Sequence, residues 1–354
     1  MSKGHLQRNN LSIIIAKPHQ KIMNKTLTFL FLMLAIQSFA QNAYPVIGSI
    51  NRLDAELDNL LAKDAKIEVL ATGFDWSEGP AWVKNGQFLV FSDVPQNTVY
   101  RWSAKDGISV FLKPSGYTGR GYYSKEPGSN GLIINKKGEL VSCEHGDRRI
   151  SIMPIEGGGK RTISDHCDGK RFNSPNDLVE HSSGAYFFTD PPYGLPQHDT
   201  DPSRETTVFG VYKIGLDGKT TLVISDLIRP NGVTLSPDEK TLYVAQSDPD
   251  KAYIMAYPLS PDGNLGKGKI FFDATPLVKK GLQGVPDGLR TDLKGNVWTT
   301  GPGGILVITP QGKHLGTIST GEATANCTWG DDGSTLYITA DMYLCRIKTL
   351  TKGF

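Results

Sequence analysis

Cysteine is scarce in this chain and shows no metal-binding order. The 354 residues hold four, Cys143, Cys167, Cys327 and Cys345, with no C-x-x-C pair and no zinc-type spacing. A core that a chain of this length can build does not require disulfides, so unpaired buried thiols are expected at least as readily as the bridges of an exported protein. Long apolar runs are also lacking. The longest, Leu27 to Ile36, is too short to serve as a membrane anchor. Nor is there an excess of one charge: 38 Lys and Arg stand against 36 Asp and Glu, with 38% hydrophobic and 21% charged residues. That composition excludes a disordered chain and gives no footing for nucleic acid or an anionic membrane as partner.

The short apolar run has a different use. It follows Met23 and Lys25 and leads to Ser38-Phe39-Ala40, the basic, apolar and small-residue order of a secretory signal peptide with cleavage after Ala40. Residues 1–22 then read as an over-extended start, and the expected location is periplasmic or secreted. Removing residues 1–40 takes five basic residues (Lys3, Arg8, Lys17, Lys21, Lys25) and no acid, which leaves 33 basic against 36 acidic. Three segments are expected: 1–40 as start and leader, 41–64 as an extension with a short helix, and 65–354 as the folded body.

What the chain has in quantity is turn residues, 39 Gly and 21 Pro, which favour an all-β protein. It also has an internal repeat. Six segments, opening near Ser77, Ser129, Ser174, Arg229, Val285 and Ala325, share one grammar. A polar residue, usually followed by Gly, leads a short apolar strand. A turn such as Lys-Asn-Gly, Ser-Ser-Gly or Asp-Asp-Gly follows, then an aromatic and β-branched strand such as Ala185-Tyr-Phe-Phe188, then a third strand. Six such units predict a six-bladed β-propeller with four-stranded blades. The unpartnered run Ala65 to Phe74 is expected to complete the last blade and so hide its open edge. Before it, Leu53, Leu57, Leu60 and Leu61 fall at i, i+4, i+7 and i+8, the pattern of a short amphipathic helix.

The six leading residues are Glu78, Asn130, Asn176, Asn231, Asp287 and Asn326. The first strand of each propeller blade lines the central channel, so these side chains are expected to form a ring at one end of it. All carry oxygen donors, which suit a hard cation. Glu78 and Asp287 supply two charges and Asn176 and Asn231 neutral oxygens; with no His or Cys among the leaders, Ca²⁺ fits better than Zn²⁺.

At these residues the sequence resembles the senescence-marker-protein/gluconolactonase family of six-bladed propellers. The resemblance rests on Glu78 to Trp82 (EGPAW), Pro175 to Asp177 (PND), Arg229 to Ala245 (RPNGVTLSPDEKTLYVA) and Val285 to Trp298 (VPDGLRTDLKGNVW), in that order, and spans roughly residues 66 to 348. It implies that Glu78, Asn176, Asn231 and Asp287 are metal ligands and Asn130 a substrate contact beside the ion. It implies a hydrolase that opens a sugar lactone, with a divalent metal, Ca²⁺ first and Mg²⁺, Mn²⁺ or Zn²⁺ as alternatives, polarising the carbonyl.

Asp287 is then the first candidate for base or nucleophile, the alternative being that it is a ligand only and metal-bound hydroxide attacks. His145, in CEHGDRR, is a second acid/base candidate. Arg148 or Arg149 could meet substrate hydroxyls. Two long loops, Lys113 to Ser129 and Asp190 to Glu205, are expected as pocket walls. They carry Arg120 and Tyr193 as candidate sugar contacts, with Tyr117, Tyr122, Tyr123 and His198 nearby. The partner is thus expected to be a small sugar lactone, bound by a monomer or weak dimer. An esterase or phosphotriesterase on the same site, or a non-catalytic sugar-binding propeller, are the other readings open to this architecture.

Overall fold

The computed structural model describes residues 44–354, so the leader and the over-extended start lie outside the described residues. Six antiparallel sheets stand around one axis, one for each sequence repeat. The first blade is Ser77–Val83, Phe88–Asp93, Thr98–Ser103 and Gly107–Leu112, and the second Ser129–Ile134, Glu139–Glu144, Arg149–Pro154 and Arg161–Ser164. The third and fourth begin at Leu178–Glu180 and Pro230–Leu235 and end at Thr220–Ile224 and Lys269–Asp273. The fifth runs from Leu289–Thr291 to His314–Ser319, and the sixth from Thr324–Gly330 to Tyr343–Lys348. The first strands of neighbouring blades touch all the way round, with Thr324–Gly330 against Ser77–Val83 closing the ring. Among the described residues no helix is long and apolar enough to cross a membrane.

The expected closure is present. Ile67–Thr72 pairs antiparallel with Tyr343–Lys348 and gives the sixth blade its fourth strand. The extension does more than the sequence indicates. Val46–Ile47 adds a fifth strand outside Ile67–Thr72, and Ser49–Arg52 adds one to the fifth blade against His314–Ser319. The expected amphipathic helix is instead a 3-10 turn over Ala55–Asn59, capped by the Asp54 side chain on the Glu56 N–H. Leu57, Leu60 and Leu61 are buried, whereas Leu53 is 55% exposed. The chain is still leaving an extended strand at Arg52, and that breaks the helical phase at Leu53. The Arg52 guanidinium donates to Asp58 and to the Leu61 and Ala62 carbonyls, which pins the turn.

Among the described residues there is no central core. Each blade packs its two faces against its two neighbours, so the apolar residues form six radial clusters, one per interface. Phe188 joins Cys143, Ile150 and Tyr212 between the second and third blades; its neighbour Phe187 points the other way, to Val233 and Leu242 of the fourth. Strands buried on both faces read as continuous apolar runs rather than alternating ones, which accounts for the Tyr-Phe-Phe and Phe-Leu-Val-Phe stretches. All four cysteines are buried, unpaired members of this packing.

Candidate functional site

The leading residues meet at one end of the axis because of a local irregularity that recurs. In the first strands of the first, second, fourth and sixth blades the pairing slips at the leader, between Glu78 and Ala81, Ser129 and Leu132, Pro230 and Val233, and Thr324 and Asn326. Such bulges re-aim side chains at strand ends. In the third and fifth blades the first strand is short, and Asn176 and Asp287 stand just ahead of it.

The glycine after the leader has a steric task. A Cβ on Gly79 would sit 2.0 Å from the Asn130 carbonyl oxygen, and one on Gly232 would sit 2.2 Å from the Asp287 carbonyl oxygen. Each glycine therefore lets the next leader's backbone come close. The sequence departs from this rule after Asn176 and Asn326, where Asp177 and Cys327 stand in place of glycine. Asp177 follows Asn176, and its buried carboxylate accepts from the Leu178 N–H and lies 3.5 Å from Arg290.

Glu78, Asn130, Asn176, Asn231 and Asp287 line one cavity of about 590 Å³. Asn326 does not line it. Its Nδ2 donates to Glu78 Oε2 at 3.2 Å and its Oδ1 accepts from the Cys327 N–H, so it orients Glu78 from behind. Tyr193 reaches the cavity from the 190–205 loop, its hydroxyl pKa raised by burial. Two sequence candidates are not brought there. Arg120 is exposed on its loop and absent from the cavity lining. His145 is fully buried and lies outside the lining. Burial lowers its pKa to about 4, which leaves it neutral. Its Nδ1 meets the Glu126 carbonyl at 3.2 Å. Arg148 and Arg149 serve structure: Arg148 donates to the Phe172 and Ser203 carbonyls and Arg149 to Glu144. Tyr117 and Tyr123 stack on one another, and Tyr122 is 81% exposed.

Sequence reasoning missed Glu126, Trp76, Arg229, Ser247 and Asp248, which also line the cavity. Glu126 lies inside the 113–129 loop expected as a wall, where a single Glu in an unpatterned loop carries no signal of its own. Ser247 accepts from Asn231 Nδ2 at 2.9 Å and donates to the Pro286 carbonyl at 2.6 Å, tying the Asn231 and Asp287 segments together. Arg229 is paired with Asp199 at 2.7 Å.

The electrostatics of the floor are unfavourable for the protein alone. Burial raises the Glu78 carboxyl pKa to about 8, and burial followed by the charge of Glu78 pushes Asp287 well above its ordinary value. Three buried acceptors, Asn130 Oδ1, Asn231 Oδ1 and Asp287 Oδ1, have no hydrogen-bond partner. Unpartnered buried oxygens beside two repelling carboxylates are what a hard cation would satisfy, so these donors fit one. Among the described residues no group of three or more His, Cys, Asp or Glu is arranged to hold a metal, so such an ion would depend on amide oxygens as well as the two carboxylates.

A family model described as the SMP-30/Gluconolactonase/LRE-like region matches residues 76–341. A gluconolactonase of Zymomonas mobilis is 41% identical over 319 residues, covering 87% of this chain and 88% of that one. Among solved structures, a gluconolactonase from Xanthomonas campestris superposes with a TM-score of 0.74 at 30% identity, over 87% of this chain and 98% of that one. A calcium-binding regucalcin from Agrobacterium tumefaciens, at 20% identity over 81% of this chain and 94% of that one, has a TM-score of 0.63 and speaks to the fold alone.

Proposed function

Because the chain belongs to the SMP-30/gluconolactonase/LRE-like family, we propose that it hydrolyses a sugar lactone in the cavity at the propeller axis, with a divalent cation held by Glu78, Asn176, Asn231 and Asp287. The chain is an enzyme of the lactonase class. The observation that carries the finer reading is that five leaders from five blades line one cavity, three of them with a buried oxygen that lacks a partner.

A bound dication would polarise the lactone carbonyl and stabilise the oxyanion that develops when water adds. The residues around it have separate tasks. Asn130 presents its free Oδ1 to a sugar hydroxyl beside the reacting carbon. Tyr193 closes one wall with an aromatic face and a hydroxyl, the combination suited to a sugar ring. Asn326 fixes the Glu78 carboxylate and Ser247 fixes the Asn231 amide, so the floor is set before substrate arrives. Asp287, which lines the same cavity, is the group we assign to take a proton from the attacking water.

The test is turnover of a small panel of aldonolactones and aryl esters by metal-stripped protein, with Ca²⁺, Mg²⁺, Mn²⁺ or Zn²⁺ restored singly. Lactone opening should vanish on stripping and return best with Ca²⁺. Full activity in the stripped protein would sink the metal; turnover of esters alone would favour the esterase reading. We also place the enzyme outside the cytoplasm on the strength of the leader from Met23 to Ala40. The intact mass of protein from the periplasm or medium should then correspond to a chain beginning at Gln41.

A further inference from the structure

Of the pocket carboxylates, Glu126 is the one the mechanism above leaves idle. Glu78 and Asp287 form the floor, and Asp248 is occupied in a turn, accepting from the Asp250 and Lys251 N–H groups. The Glu126 carboxyl has no hydrogen-bond partner among the described residues, and the neutral His145 ring lies 4.0 Å away at Nδ1. Its side chain keeps 34% of its surface, and it lines the same cavity as Glu78, Asp287 and Tyr193.

The loop that carries Glu126 is fixed at this point. Three consecutive carbonyls face the His145-Gly146 segment. The Glu126 oxygen meets His145 Nδ1 at 3.2 Å, the Pro127 oxygen accepts from the Gly146 N–H at 3.1 Å, and the Gly128 oxygen accepts from the His145 N–H at 3.1 Å. Farther back, Asn97 Oδ1 takes the N–H groups of Ser115, Gly116 and Tyr117. The Glu126 backbone is thus fixed in the wall, and its side chain lines the cavity from there.

We propose, on the footing of the lactonase reading, that Glu126 is the general acid that protonates the departing ring oxygen, and that His145 is its positioning residue. As the water oxygen bonds to the carbonyl carbon, the ring C–O bond breaks and its electron pair stays on the ring oxygen. That oxygen takes the Glu126 proton, Asp287 takes the proton lost by water, and release of that proton to solvent with uptake of one by Glu126 restores both groups. An alkoxide is a poor leaving group, so this transfer is worth about 10²–10⁴-fold. Burial supports the role, raising the Glu126 pKa to about 7 and keeping a proton available near neutrality. The groups facing it are the acids Glu78, Asp287 and Asp248, Arg229 in its pair with Asp199, Tyr193, and the neutral His145.

The experiment compares the metal-loaded wild type with Glu126→Gln on glucono-δ-lactone between pH 5.5 and 8.5, with uncatalysed opening subtracted and Tm measured alongside. In the wild type, kcat should show an alkaline limb as Glu126 loses its proton. In the variant, kcat should drop by about 10²-fold or more with KM within a few-fold, and that alkaline limb should be gone. A variant of unchanged Tm with kcat within threefold of wild type, or one that keeps the limb, overturns the assignment while leaving the lactonase reading intact. A wild type that opens no lactone removes both. As a second arm, a phenyl ester leaves as a stabilised phenolate and needs no acid, so any turnover of it should survive Glu126→Gln; equal losses on both substrates count against the acid role.

Discussion

Glu78 and Asp287 are two buried carboxylates whose charges oppose each other, an arrangement that costs stability. Asp287→Asn should therefore do two opposite things. Under the proposed role of Asp287 as general base, turnover should fall by about 10³-fold or more, and the Tm of the metal-free protein should rise. Steady-state kinetics and a melting curve on one preparation check both; a lower Tm would show that Asp287 is not strained. Asp190 offers a pH test away from the cavity floor. Burial raises its pKa to about 7, and its Oδ2 accepts from Asn173 while Oδ1 has no partner. The folded state therefore holds this proton more tightly than the unfolded one. The stabilisation is complete below about pH 4 and is lost as pH rises through about 7. Asp190→Asn keeps the acceptor for Asn173 and does not ionise, so its Tm should exceed that of wild type at pH 8 and match it at pH 4. The four floor candidates were legible because each opens a repeat. Glu126, Trp76 and Ser247 were not, because they come from loops and strand ends that share no pattern between blades.

At the scale of the element, the bulge and the glycine after it make each leader point inward. Gly232→Ala should force the Asp287 carbonyl away, since the new Cβ would lie 2.2 Å from it. Activity should fall by more than tenfold although no functional side chain changes, and a kcat near wild type would show that the Asp287 backbone can yield. The sequence rule of a polar residue followed by Gly was visible; its cause, the close approach of the neighbouring blade, was not. The 3-10 turn is the converse case. Four leucines at helical spacing indicated an amphipathic helix, but Leu53 faces solvent because Ser49–Arg52 is committed to the fifth blade. Leu57 is fully buried in the cluster between the fifth and sixth blades, and Leu57→Ala should cost about 2–5 kcal/mol by urea denaturation. A loss below 1 kcal/mol would mean that the extension is not part of the cooperative fold.

In the whole molecule, six radial clusters replace one core, and the ring holds only if the last interface forms. The buried, unpaired cysteines are packing residues in this scheme. Reductant should leave Tm unchanged, and a thiol reagent should label none of the four in the native protein and all four in denaturant. Rapid native labelling would mean that a blade interface opens. The sequence alone determined the number of blades, the place of closure and the leaders, because these follow from a repeat and from turn chemistry that are local in the chain. Only the tertiary structure decided which groups share the cavity with them: Glu126 entered it, while His145 and Arg120 stayed out. Whether a side chain faces that cavity depends on how loops from separate blades pack over the axis, and no periodicity in the chain encodes that packing.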